Sequence, residues 1–555
     1  MRRVLAALCT VLVASCSWII GIHDLPADGS SGDAGCASCA CTTDSDCGAH
    51  MYCDIAPSSS ACACVAGYAL AGNACQWTGV IADPGFDLTP AGWTTGSATM
   101  IEPTFAVTQG MIDPGIAETE AMPCMGLVAG VSQSIVMPRL SRAEPLVAEV
   151  SYAGNGPLGF PTPVAIEIAS LWYPTALSVF DASFQTTRVC LGEAQYAPES
   201  SSGSGATATT AMLANCSSGL GNFDGEYDHY DIVLPNAGEC PVPGTVTNGD
   251  AEGSDGWSFS TSYNNGSTDG TSAGYAAGVG DSGSRAVHLH LAERCDDADA
   301  TVPMSVPLRD GTGSPSLSVW HQKPTSAGTL GISVGGLPLL LTAPADSIDH
   351  YCLPTGLHGG VSSLQAAFYT NGTSCGSATT ADAYVDSVTV ANDPKCGSDP
   401  GIADPSFESG YSMIGSTSTT SDTVAIVTGD GNAYEGSGYL RLSIDGNCNY
   451  ANYTTTAIVP ASPPGTGPAV SFHYQFPAGG TANASITASS VKPLTLGRTS
   501  TWQPAIACLD PTAPVGWPAQ FYIELDTTAG TCTTGTTTIA NIDALQVTTD
   551  PACAP

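Results

Sequence analysis

Apolar and polar residues alternate with a period of two at several places along this chain, and matching alternations return after long intervals. Val147-Ala-Glu-Val-Ser-Tyr152, Leu317-Ser-Val-Trp-His-Gln322 and Val470-Ser-Phe-His-Tyr-Gln475 each read as a strand with one buried face. Ala286-Val-His-Leu-His-Leu291 and Tyr439-Leu-Arg-Leu-Ser-Ile444 alternate in the same way, each just after a Gly/Ser turn. Further short strands are expected at 164–169 and 521–525. No stretch keeps a helical period over a dozen residues. The pattern predicts an all-β chain built from sandwiches.

Three similar stretches set the interval. They are Ile81-Ala-Asp-Pro-Gly-Phe-Asp87, Val246-Thr-Asn-Gly-Asp-Ala-Glu252 and Ile402-Ala-Asp-Pro-Ser-Phe-Glu408. Each opens a segment of about 155 residues, a period that marks tandem whole domains rather than a solenoid. Each segment closes on an aspartate in a strand pattern: Tyr230-Asp231-Ile-Val-Leu, Val385-Asp386-Ser-Val-Thr-Val and Ile542-Asp543-Ala-Leu-Gln-Val. Twelve cysteines divide equally among the copies: Cys124, Cys190, Cys216, Cys240; Cys295, Cys352, Cys375, Cys396; and Cys448, Cys508, Cys532, Cys553. Their spacing agrees from copy to copy, which implies two recurring disulfides per copy. Four cysteines allow three connectivities, and the sequence leaves the choice open. The expected sandwiches occupy residues 77–241, 242–397 and 398–555.

The motif Asn248-Gly-Asp-Ala-Glu252, followed by Gly256-Trp257 and then Gly283-Ser-Arg-Ala-Val-His-Leu, resembles carbohydrate-binding modules with a galactose-binding-like jelly roll. Copy one carries Phe86-Asp87 and Gly92-Trp93; copy three carries Phe407-Glu408, with Gly410-Tyr411 in place of Gly-Trp. The resemblance implies a structural calcium shared by the opening acid and the closing aspartate. Carried over by position, the pairs are Asp87 with Asp231, Glu252 with Asp386, and Glu408 with Asp543. First and last strands running side by side would bring these distant acids together. Two close carboxylates repel unless a proton or cation lies between them, and Ca²⁺ takes six to eight oxygens. The alternative is that each acid caps its own turn by accepting backbone N–H bonds.

The N-terminal Met1-Arg2-Arg3 and the apolar run after it read as a signal peptide over residues 1–15. Val13-Ala14-Ser15-Cys16 resembles the bacterial lipobox, which implies lipidation at Cys16; an uncleaved anchor extending through Ile22 is the competing reading. Residues 16–35 form a Gly/Ser-rich spacer. Eight cysteines then crowd residues 36–76: Cys36, Cys39, Cys41, Cys47, Cys53, Cys62, Cys64 and Cys75. So short a segment needs bridges in place of a core. The last six resemble an EGF-like module, which implies the pairs Cys41–Cys53, Cys47–Cys62 and Cys64–Cys75. Zinc is the rival reading for Cys36-x-x-Cys39, weighed against an oxidising compartment.

The chain has 13 Lys+Arg against 50 Asp+Glu, a formal charge of −37. That balance argues against a basic footprint for nucleic acid; it suits a protein kept soluble outside a cell or one that binds divalent cations, with plain solvation by scattered acids as the alternative. Sugar binding needs exposed aromatic faces. The candidates are Trp320, His321, Gln322 and their counterparts His473, Tyr474, Gln475, with Trp172, Tyr173, Trp502 and Trp517 as looser ones. Half the side chains on an alternating strand point inward, so core packing competes at each position. Trp93 and Trp257 read as packed residues beside the opening turn. His288 and His290 mark one exposed face rather than a metal site.

Acids spread singly do not form the placed pair a glycosidase needs. Gly280-Asp281-Ser282-Gly283 resembles a protease nucleophile loop, but no partner motif accompanies it, and copy three has Glu435-Gly436-Ser437-Gly438 at the same turn. The expectation is a non-catalytic lipoprotein, held in the outer membrane or at the cell surface by its N-terminal lipid. It displays β-sandwich modules for glycan or surface polymer. The alternative is a structural or adhesive envelope protein that contacts other proteins and binds no sugar.

Overall fold

The computed structural model describes residues 41–554 apart from internal segments, the longest being 87–92, 96–103, 107–115, 122–127, 156–162, 198–203, 214–222, 263–269, 371–377, 478–483 and 528–535. Cys16, Cys36, Cys39, Asp87, Cys124, Cys216, Cys375 and Cys532 lie outside the described residues. Among the described residues, no helix is long and apolar enough to cross a membrane. Two compact units are present: Met1–Cys64 with Leu70–Gln76, and Val65–Ala69 with Trp77–Pro555.

The small unit is held by sulfur. Strands Met51–Ala56 and Ser59–Cys64 pair antiparallel. Bridges join Cys41 to Cys53, Cys47 to Cys62 and Cys64 to Cys75, the three pairs that the EGF-like resemblance implies.

The large unit repeats one topology three times, each time as two five-stranded antiparallel sheets. Numbered within a copy, the strand orders are 1-4-9-6-7 and 2-3-10-5-8 in all three. In copy two the first sheet runs Ser258–Ser262, Asp297–Ser305, Val361–Tyr369, Thr329–Val334, Leu337–Leu339. The second runs Ser272–Ala277, Arg285–Glu293, Ala378–Asp393, Ser314–Gln322, Ser347–Cys352. The inward residues of both sheets meet in one core, as period-two alternation requires. Val287, Leu289, Leu291, Ala298, Val302, Phe368 and Val385 are buried together in copy two. Leu440, Leu442, Phe472, Tyr474, Phe521 and Ile542 do the same in copy three, and Val150, Tyr152, Tyr227 and Tyr230 in copy one.

The disulfides resolve the open connectivity in part. Cys190–Cys240, Cys352–Cys396 and Cys508–Cys553 join the second and fourth cysteine of each copy. Each staples the end of the eighth strand to the chain just after the tenth, across strand five. Closing loops of 44 to 50 residues removes about 4 kcal/mol of chain entropy from the unfolded state. Cys295 and Cys448 are also disulfide-bonded.

The expectation that first and last strands run side by side needs correction. Strand one lies at the edge of one sheet, and strand ten is central in the other. The turn ahead of strand one makes the closure instead. Val388 N–H donates to Gly249 O at 2.8 Å, Leu545 N–H to Pro405 O at 2.8 Å, and Tyr230 N–H to Pro84 O at 2.8 Å. Each copy forces a non-glycine residue into the left-handed region at the same point of this turn: Phe86 (φ 53°), Ala251 (φ 53°) and Phe407 (φ 55°). Trp93 and Trp257 are buried beside it and donate their indole N–H to Asp83 O and Asn248 O.

Copy three, lacking that tryptophan, uses Tyr411 to grip its neighbour. The ring stacks on His350 of copy two at 5.2 Å, and its hydroxyl donates to Asp393. Ser412 adds bonds to His350 O and Asp349 Oδ1. The cores also interlock: Ile414 belongs to the cluster of copy two, and Leu340 packs on that of copy three. One segment of copy two, residues 354–360, engages both neighbours. Gly359 O accepts from Ala194 N–H of copy one at 3.1 Å, while Gly356 N–H donates to Thr456 Oγ1 of copy three at 2.9 Å. Thr355 Oγ1 donates to Gly401 O.

Candidate functional site

The closing acids organise a loop at one end of the 2-3-10-5-8 sheet. Asp386 and Asp543 are fully buried, each followed by a residue of positive φ, Ser387 (47°) and Ala544 (52°). In copy two, Asp386 Oδ2 accepts Asp281 N–H at 2.9 Å and Oδ1 accepts Ser387 N–H at 2.7 Å. In copy three, Asp543 Oδ2 accepts Tyr434 and Glu435 N–H at 2.7 and 2.9 Å, and Oδ1 accepts Ala544 N–H at 2.7 Å. Gly280 and Asp281, which begin the string that resembled a protease loop, lie at this turn, and Asp281 N–H bonds the acid as Glu435 N–H does in copy three.

The opening acids sit alongside. Glu252 Oε1 accepts Arg285 N–H at 3.0 Å. Glu408 accepts Ser437 and Gly438 N–H on Oε1 and the Ser437 hydroxyl on Oε2. Burial pushes Asp386 and Asp543 above the usual carboxylate range, and the charges of Glu252 and Glu408 push the same way. Each opening acid therefore bears electrostatically on its closing partner. In copy two the Arg285 guanidinium donates to Glu252 O and Gly253 O. In copy one, the bond from Tyr230 to Pro84 matches those from Val388 and Leu545. This places buried Asp228 at the closing position and Asp231 three residues further on.

The six candidate ligand residues separate by register. Trp320 and His473 pair with Asp386 and Asp543, whereas His321 and Tyr474 pair with Val385 and Ile542. His321 is completely buried, with Nε2 at 2.8 Å from Asp349 Oδ2, and Tyr474 lies within the core of copy three. Burial takes both away from any ligand. Trp320 lies on the acid's side of the sheet but is only 4 % exposed. His473, Gln322 and Gln475 are half-buried on the outer face. Matching the strands through the residues paired with Cys190, Cys352 and Cys508 puts Ser151 of copy one opposite Trp320 and His473.

His473 stands in an aromatic group that the strand pattern did not reveal. Tyr434 stacks on it at 3.6 Å and 12°, Trp502 meets Tyr434 edge-on at 6.0 Å, and Tyr439 meets Trp502 at 6.4 Å. Trp502 is held by its indole N–H to Asn432 O, and Tyr434 is 49 % exposed. Asp430 and Arg441 flank the group; the Tyr439 hydroxyl donates to Asp430 Oδ2. Asp543 thus fixes the backbone of the residue that presents the widest aromatic face. Burial holds the His473 imidazole below its ordinary pKa.

No family model matches the chain, and a search of curated proteins finds no match. Among similar solved structures is the N-terminal CBM22-1–CBM22-2 tandem domain of Xyn10C from Paenibacillus barcinonensis. It is 13% identical with a TM-score of 0.21, covering 56% of this chain and 96% of that one. TmCBM61 in complex with β-1,4-galactotriose is 14% identical with a TM-score of 0.20, over 26% and 96%. The triple jelly roll from an archaeal virus turret assembly is 8% identical with a TM-score of 0.14, over 82% and 89%.

Proposed function

We propose that this chain is a non-catalytic envelope lipoprotein, tethered through Cys16, whose sandwiches bind glycan or a sugar-based surface polymer. The Tyr434–His473–Trp502 group carries the reading. An exposed apolar ring, with Asp430 and Arg441 beside it, offers a pyranose both a stacking face and hydrogen-bond partners. The N-terminal unit, with its three EGF-like bridges, serves as a spacer. Calcium would be structural, held by Glu252 with Asp386 and by Glu408 with Asp543; it would offset both the burial that lifts the two aspartates and the repulsion that adds to it. Its expected signature is a melting temperature lowered by EGTA and restored by CaCl₂.

The deciding measurement is a glycan array on the chain, followed by affinity electrophoresis on the best polymer. Tyr434→Ala with Trp502→Ala should cost at least tenfold in affinity, about 1.4 kcal/mol. Retention that survives this pair refutes the platform. Absence of binding to every glycan favours the adhesive alternative.

A further inference from the structure

On copy two the corresponding sheet face carries different chemistry. His288 and His290 project from strand Arg285–Glu293 to the outer side, because Val287, Leu289 and Leu291 fill the core. Across the strand pair, Asp382 lies directly opposite His290, and Tyr384 opposite His288. Asp382 Oδ1 is 2.7 Å from His288 Nε2 and 2.8 Å from His290 Nδ1. The three donor atoms lie within 4.8 Å of one another.

We propose that His288, His290 and Asp382 form a binding site for a divalent transition metal of the zinc class. The donor set is two imidazoles and one carboxylate, which suits Zn²⁺ and not the all-oxygen shell of Ca²⁺. A tetrahedral zinc with bonds near 2.1 Å holds its ligand atoms about 3.4 Å apart. Opening the two contacts to Asp382 by about 0.6 to 0.7 Å, through small rotations on two hydrogen-bonded strands, reaches that spacing. Without metal, His288 Nε2 and His290 Nδ1 face the accepting Asp382 Oδ1 as N–H donors; on binding, each of these protons moves to the other ring nitrogen or leaves to solvent, and the freed lone pair takes the metal.

Three further features belong to the site. Tyr384 stacks on His288 at 4.8 Å and 11°, fixing that ring. Gly274 pairs with His288 from the other side, and a Cβ there would meet nothing within 4 Å, so a fourth ligand has room. The side chains are 24 to 41 % exposed, which leaves the donors reachable from solvent. The two-imidazole set is particular to copy two; copy one places Glu118, Glu120 and Asp224 at the matching register positions, with no imidazole. Counting from the closing acid, copy three places Arg441, Ser443 and Ile539 at these positions, and that set cannot hold a cation.

The full chain, stripped with EDTA and titrated with ZnCl₂ alone, tests the assignment by calorimetry. Cysteines elsewhere add their own signal, so the comparison is with His288→Gln, His290→Gln and Asp382→Asn. Each should remove one equivalent or weaken it at least tenfold, with His473→Gln unchanged and excess CaCl₂ without effect. Equal zinc binding by wild type and by variants that melt normally overturns the site. A second readout needs no variant: zinc should shield His288 and His290 of the wild-type chain from carbethoxylation by diethyl pyrocarbonate, seen by peptide mass spectrometry. Unchanged labelling of both residues also overturns it.

Discussion

Copies two and three share a topology, a staple and a buried closing acid, yet the sheet face beside that acid differs almost completely. The pivotal position is one residue of the turn. Where copy three has Tyr434, copy two has Gly280, and each is followed by the residue whose N–H reaches the acid, Glu435 or Asp281. Gly280 has φ 122°, and a Cβ on it would lie 2.5 Å from Asp386 Oδ2, so no aromatic can stand there. The copy with the tyrosine builds an aromatic platform; the copy with the glycine leaves its face to His288, His290, Asp382 and Tyr384. A fixed scaffold with interchangeable face residues is how one fold acquires separate sites.

Transplanting one face onto the other gives the largest expected change. Arg441→His, Ser443→His and Ile539→Asp together should add a second zinc equivalent to the full chain; an unchanged stoichiometry means the face alone does not make the site. Acid should divide the copies next. Burial holds His358 of copy two down at about 4 and lifts Asp404 of copy three to about 6. For the depressed histidine, its contribution is complete above pH 6.5 and is lost as pH falls toward 4. For the raised carboxyl, it is complete below pH 3.8 and is lost as pH rises through 6. Each is worth on the order of 3 kcal/mol. Hydrogen exchange corrected for intrinsic rates should therefore show copy two loosening and copy three tightening between pH 7 and 4. His358→Gln should flatten the first trend and Asp404→Asn the second; copies moving together contradict the assignment.

The smallest contrast lies within one turn. Gly436 has φ 66° and its Cβ would sit 2.1 Å from Glu408 Oε1, whereas Gly429, at φ 74°, faces open space. Gly436→Ala should cost about 2 kcal/mol and Gly429→Ala about 1, read from melting temperatures. Equal losses would mean that the opening acid does not constrain the turn.

The architecture was legible because disulfide spacing, opening turns and strand alternation repeat together, and each reflects a local rule. Trp93 and Trp257 were readable as packed residues for the same reason. What escaped depended on register. Along strand five, Leu317, Val319 and His321 share one inward face, as do Val470, Phe472 and Tyr474. The bulge lies in strand ten, between Asp386 and Thr389 and between Asp543 and Gln546, and alternation counted along strand five cannot locate the acid it sets beside Trp320 or His473. In copy one the closing motif is better written as apolar–Asp–x–apolar, which Tyr227-Asp228-His229-Tyr230 satisfies alongside Val385-Asp386-Ser387-Val388. That signal was present, but the neighbouring Asp231 obscured it. Tyr434 lay in a turn, and Asp382 stands 92 residues from His290, so neither platform nor metal donor set is local in sequence.

Residues 354–360 belong to the middle copy by chain order but complete the surfaces of the copies on either side. Excising that copy as a cassette would strip Ala194 of an acceptor and Thr456 of a donor, leaving two raw faces where one domain was removed. Recombination or engineering that reshuffles these modules must carry the connector with its neighbours. Rewriting a face in place keeps these contacts, whereas trading a whole domain breaks them.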